Sequence, residues 1–449
     1  MSLLAVGLLF TAAAADPAVP PSPTDPEPVV PSSADPAPIA PVPVAPADPS
    51  PVEPPPLTPE ELAAIEAALA ADTAATAATT PPAPAPAAPA AGGSGQNRQF
   101  QSMNPDMSVI LDVVAAAFTA DEPLQTGGHD PRVDGFNLQQ VEISLAESVD
   151  PYLRFDSNLV FSLFGVEIEE AYATTLTLPL RTQLRVGQFL TRFGRLNNTH
   201  PHTWSFVDQP FAIGRVFGAE ANRGLGVEGS VLLPLPWYVE VVGSSNMNGG
   251  EATNRSWLDA ADDSVRTPSD LHTTAAVKQF FALAPDWSLA WGLSYAGAPN
   301  GTGRGNRAEV FGTDVYLRYR PIRVGSWTWA TLESEWLYRR RQVPGDLLSD
   351  LSGYTQGTWK LSRRWGVGAR WEYGTPARNL DGEVADDPLD PYWTAARHRT
   401  TAAVTFWPSH FSRVRLQPGA DWLGWQESPE LAAFVQFEVL TGAHGSHPF

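Results

Sequence analysis

The chain has 449 residues, a formal net charge of −20, 44 prolines and no cysteine. Disulfide and thiolate chemistry are therefore excluded. The acidic balance also leaves no basic footprint for nucleic acid, and the lack of cysteine suits an oxidising envelope compartment without demanding it. The charge is unevenly placed. The first 97 residues hold ten acids, no Lys or Arg and about half of the prolines, leaving 39 acids against 29 bases for the rest.

Residues 1–15, within "MSLLAVGLLFTAAAAD", have an apolar run from Leu3 to Phe10 and small residues up to Ala15, the pattern of a cleaved export signal without its usual basic start. Beyond it, no apolar run approaches the ~20 residues of a transmembrane helix. A membrane could be crossed only by strands. Residues 16–103 are rich in Pro, Ala, Asp and Glu and too poor in large apolar side chains to offset the entropy of ordering, so they read as an acidic, disordered linker. Within it, 58–71 could form a short helix, with Thr58 as N-cap, Pro59 at the first helical position and Leu62, Ile65 and Leu69 on one face.

From 104 to 449 the pattern changes to runs of about ten residues that alternate with period two. In "WSLAWGLSY", Trp287, Leu289, Trp291, Leu293 and Tyr295 share one face, and small residues share the other. "WGVGARWEY" repeats this: Trp365, Val367, Ala369, Trp371 and Tyr373 oppose Gly366, Gly368, Arg370 and Glu372. A water-soluble sandwich would bury its bulky face, whereas here large residues must face out and small or charged ones in. The spacing predicts an all-β fold, a transmembrane antiparallel β-barrel of about 16 strands. Short turns run directly into Tyr152, Trp237, Trp287, Trp327, Trp365 and Phe411, as a periplasmic aromatic girdle requires. Longer connections, expected outside the cell, fall near 119–134, 191–223, 243–270, 297–307, 341–350, 375–396 and 418–429.

The most unusual connection is "VGQFLTRFGRLNNTHPHTW", Val186 to Trp204, and its continuation to 223. Phe193, Trp204, Phe206, Phe211 and Phe217 make it too apolar to lie freely in water. Folded inward, it would narrow the pore, with Arg192, Arg195, Asp208, Arg215, Glu220 and Arg223 as constriction residues. Four arginines against two acids predict a weak preference for small anions. The alternative is an outward loop packed on its neighbours or on another subunit. The wall would carry Glu142, Arg154, Asp156, Arg185, Glu333, Glu335 and Arg370, with Glu228, Glu240, Asp314, Arg318, Glu372, Arg399, Arg413 and Arg415 also inward. His200 and His202, flanking Pro201, could share a zinc ion with His444 and His447 or with a carboxylate. No other cofactor is expected. No G-x-S-x-G, HExxH or phosphate-loop motif gives an enzyme site a position.

"NPDMSVILDV", "GFNLQQVEISL", "VDPYLRFD", "VEIEEAYATTLTLP", "VGQFLTRFGRLNNTHPHTWSFVDQP" and "GAHGSHPF" resemble a family of bacterial outer-membrane proteins often labelled zinc-regulated TonB-dependent outer membrane receptor. Gly187, Phe189, Phe193 and Gly194 form a G-x-F-x-x-x-F-G pattern similar to phosphate-selective porins, where a strand runs into a constricting loop. The lysine ladder of those porins is missing, since Lys278 and Lys360 are the only lysines. The resemblance implies an outer-membrane channel for small hydrophilic solutes or ions. It would lie in lipid and lipopolysaccharide, as a homotrimer, with the arm in the periplasm touching another envelope component. An outer-membrane receptor or metal-linked uptake protein, and a structural tethering barrel, are the alternatives.

Overall fold

The computed structural model describes residues 105–162, 165–247, 252–257, 265–321 and 327–442. The expected export signal at 1–15, the linker at 16–103 with its helix at 58–71, and His444 and His447 lie outside the described residues.

Sixteen antiparallel strands close into one barrel, each paired with its chain neighbours and the first with the last. They are β1 (Asp106–Phe118), β2 (Gly135–Ser148), β3 (Leu153–Ser162), β4 (Gly165–Thr175), β5 (Thr182–Leu190), β6 (Arg223–Leu232), β7 (Tyr238–Asn246) and β8 (His272–Ala284). The second half holds β9 (Trp287–Asn300), β10 (Gly303–Tyr319), β11 (Trp329–Val343), β12 (Asp346–Lys360), β13 (Trp365–Gly374), β14 (Arg397–Ser409), β15 (Ser412–Leu423) and β16 (Glu430–Gly442). Closure removes every free sheet edge, which a barrel in hydrocarbon needs because no water is there to satisfy backbone groups.

The expected sidedness of the residues holds. On β13, Trp365, Val367 and Trp371 are exposed, while Gly366, Arg370 and Glu372 are buried. The six aromatics that follow the short turns are all exposed at that end of the barrel. The start of β1 and the end of β16 are paired at this same end.

Two expected loops are different. The connections drawn at 297–307 and 341–350 are tight turns at 301–302 and 344–345, because β9 to β12 run on as strands of 14, 17, 15 and 15 residues. Along their extensions the inward face is apolar rather than polar. Ala296, Ala298, Ala308 and Val310 point inward and are fully buried in an apolar core. Alternation alone could not show this, since the extensions cover material inside the barrel rather than water.

That material is the segment 191–222 between β5 and β6. It includes the short helix α1 (Phe211–Phe217), preceded by Pro210 and ended at Gly218, whose positive φ of 100° and N–H bond to the Gly214 carbonyl close the last turn. Wall glycines give its rings space. A Cβ at Gly312 would meet the Phe193 ring at 2.7 Å, one at Gly368 the Phe206 ring at 3.2 Å, and one at Gly374 the Phe211 ring at 3.1 Å. Small inward residues therefore serve as sockets for the inserted aromatics.

Candidate functional site

The inserted segment is tied to the wall along its whole length. Arg192 donates to Glu228 on β6 and Glu240 on β7, both at 2.8 Å. Gly194 accepts from Lys278 on β8 and donates to Ser294 on β9 at 2.9 Å. Its positive φ of 58° and the Glu335 carboxylate beside it leave no room for a side chain. Arg195 lies 3.5 Å over the Tyr316 ring and 3.8 Å from Glu333. The Leu196 N–H meets Glu335 at 3.2 Å, and the Tyr354 hydroxyl links Glu333 and Glu335 at 2.7 and 3.1 Å.

Across the barrel, the Trp204 carbonyl accepts from Arg413 and Arg415, and the Val207 N–H donates to Gln417 at 2.7 Å. Asp208 accepts from Arg370, Arg399 and Gln417. Burial works against its charge, but Arg370 and then Arg399 outweigh it and hold the carboxyl below its usual range. The helix start is held by a Phe211 N–H bond to Glu372 at 2.6 Å. Arg215 pairs with Asp390 at 3.0 Å and lies 3.7 Å over the Trp393 ring. Asp390 also takes Arg255 and Arg339, and these guanidiniums keep it charged against its burial.

The remaining sequence candidates fall into local pairs. Arg154 and Asp156 pair on β3 at 2.8 Å, and Arg185 reaches Glu228 at 3.5 Å. Arg223 is the first residue of β6 and pairs with Glu167. Glu220 faces His129 of the first long connection at 3.5 Å. Beside them Asp130 is buried and close to the Asp208 charge, so its carboxyl is pushed up to about 7.

The anticipated surplus of positive charge is therefore corrected. Arg192, Arg195, Arg215 and Arg223 each meet a carboxylate, mostly from wall strands or from the 375–396 connection. Only the first two keep appreciable side-chain exposure, 16% and 21% against 2% for Arg215 and 7% for Arg223. Sequence reasoning counted charges within one segment, and the pairing partners lie 36 to 175 positions away.

His200 and His202 stack with ring centroids 5.7 Å apart, and they meet carboxylates. His200 Nδ1 is 2.9 Å from Glu169 and its Nε2 is 3.0 Å from Glu170, while His202 Nδ1 is 2.8 Å from Glu142. Burial alone would favour a neutral His200 ring, but Glu169 and then Glu142 outweigh it and hold its pKa well above the ordinary histidine value. Glu169 and Glu170 were missed in the sequence. Consecutive residues should face opposite sides of a strand, yet the β3–β4 register slips here, pairing Asn158 with Glu170 and Leu159 with Ile168. The bulge turns both carboxylates inward. The signal was the acidic cluster "EIEE" opposite the two histidines.

Fold and interior together define a transmembrane β-barrel with a chain segment folded into its lumen. The chain belongs to the same family as an uncharacterized protein of Aquifex aeolicus (strain VF5), to which it is 30% identical over 392 residues, covering 77% of this chain and 80% of that one. No family model matches. Among solved structures, the outer membrane channel DcaP of Acinetobacter baumannii shares the fold, with a TM-score of 0.52 and 11% identity over 75% of this chain and 97% of that one. The receptor label of the resembling family finds no support: the barrel has sixteen strands, where TonB-type transporters need twenty-two around a plug.

Proposed function

We propose that the protein is an outer-membrane porin-like channel through which small hydrophilic solutes or ions diffuse, with 191–223 as its constriction. The observation that carries this is the insertion itself. One segment binds wall strands on opposite sides of the lumen, leaving Arg192 and Arg195 partly exposed against Glu228, Glu240 and Glu333. Such a paired ring orients dipolar solutes and favours neither ion sign strongly. The short-turn end, with both barrel termini, faces the periplasm in this reading, which also assigns the N-terminal arm to the periplasm. A homotrimer in lipid and lipopolysaccharide is the proposed assembly.

Single-channel recording in a salt gradient tests the proposal. The double variant Arg192→Ala, Arg195→Ala should raise conductance and move the reversal potential toward cations, because the wall carboxylates lose their partners. An unchanged conductance and reversal potential would place the solute path elsewhere, and no conductance in the wild type would refute the channel.

A further inference from the structure

Five side chains from three parts of the chain converge between β2, β4 and the inserted segment. Glu142, Glu169 and His200 each offer a ligand atom within 4.8 Å of the others, and all three are buried. His202 holds Glu142 at 2.8 Å, and Glu170 holds the far nitrogen of His200 at 3.0 Å. We propose that Glu142, Glu169 and His200 bind a divalent cation of the zinc type that staples the inserted segment to the wall, with His202 and Glu170 as positioning residues.

The chemistry and the geometry agree. Imidazole together with carboxylates suits zinc, whereas magnesium and calcium take oxygen donors. Zinc bonds of about 2.0–2.1 Å put neighbouring tetrahedral donors about 3.3 Å apart. His200 Nδ1 and Glu169 are 2.9 Å apart, and the ligand atoms of all three residues lie within 4.8 Å of one another, so small side-chain shifts admit an ion. Three protein ligands leave a fourth position for water. Both nitrogens of His200 face carboxylate oxygens. Nε2 also faces the Asn158 amide at 2.9 Å, and with its N–H held by Glu170 the ring can turn the Nδ1 lone pair to an ion beside Glu169. This arrangement is the carboxylate–histidine–metal relay by which outer partners orient a ligand. A strand bulge brings Glu169 inward beside Glu170.

This inference does not rest on conduction, and its test reads metal instead. The full-length chain, folded in detergent and stripped with chelator, should bind one Zn²⁺ by calorimetry. Co²⁺ in its place should give the visible absorption bands of a low-coordinate N/O site. His200→Gln and Glu169→Gln should each weaken binding by more than the ~100-fold at the upper end for outer-sphere partners, and Glu170→Gln by ~10-fold. The heat-dependent gel shift of a barrel checks that each variant is folded. A wild type with no cobalt bands overturns the proposal whatever the variants do. So does zinc binding that survives His200→Gln but disappears when His444 and His447 are replaced.

Discussion

The wall holds the inserted segment in two different ways. Against β9 to β12, Phe193, Leu196, Ile213, Val216 and Phe217 form a dry core with Trp257, Leu337 and Tyr354. Against β13 to β15, the segment is held by arginines: Arg370 and Arg399 on Asp208, with Arg413 and Arg415 on the Trp204 carbonyl. The first grip is non-directional and scales with apolar area removed from water. The second depends on directed bonds between buried charges, whose desolvation takes back much of the attraction. Packing therefore supplies affinity for the wall, and the ion pairs select one register of the segment.

The largest effect should come from emptying the dry side. Phe217 is fully buried and sits 5.0 Å from Phe193 and 5.8 Å from Trp257 between ring centroids. Phe217→Ala should cost about 3–5 kcal/mol of docking stability. Amide exchange across 211–217 would report it, and unchanged protection there would mean that the helix does not depend on this core. On the charged side, Asp208→Ala leaves two buried arginines short of a partner. The expected loss is about 3 kcal/mol, the low end of the range for a broken buried pair, because Glu372 and Asp421 remain. Exchange should rise first at 204–210, and an equal rise at 211–217 would show that the two grips act as one unit.

A smaller deletion sharpens the contrast. Ile213→Val removes one methylene from the dry core and should cost about 1 kcal/mol, independent of salt. Denaturant unfolding at low and high ionic strength would check it, and a salt-dependent loss would contradict the assignment to packing. A further effect is one of pH. Asp130 accepts N–H bonds from Gln209 and Gly127 and has its carboxyl pushed up to about 7, by burial first and the Asp208 charge second. Because the folded pKa lies above the unfolded one, its contribution is fully present below about pH 4 and fades as pH rises through 7. Protection at 207–210 should therefore be higher at about pH 5 than at about pH 8, and Asp130→Asn should flatten the difference. A wild type equally protected at both values would remove Asp130 as the cause.

The barrel wall was legible from residue order because its information is local. Trp365 to Tyr373 shows which face meets lipid by alternation alone, and the aromatics after each short turn mark one rim. Phe193, Phe206, Phe211 and Phe217 likewise announced that their segment had to be covered by something. Residue order could not say by what. The Arg192 pairing with Glu228 and Glu240, the meeting of Arg215 with Asp390, and the extensions of β9 and β10 that enclose Trp257 all join distant positions through closure of the sheet. The bulge that turns Glu169 and Glu170 toward His200 breaks the very periodicity from which strand faces are read. Period-two patterning is a property of neighbours in the chain, and it determined the barrel. Which charges neutralise one another, and which histidine meets which carboxylate, depend on distances across the lumen, and only the closed tertiary structure decided them.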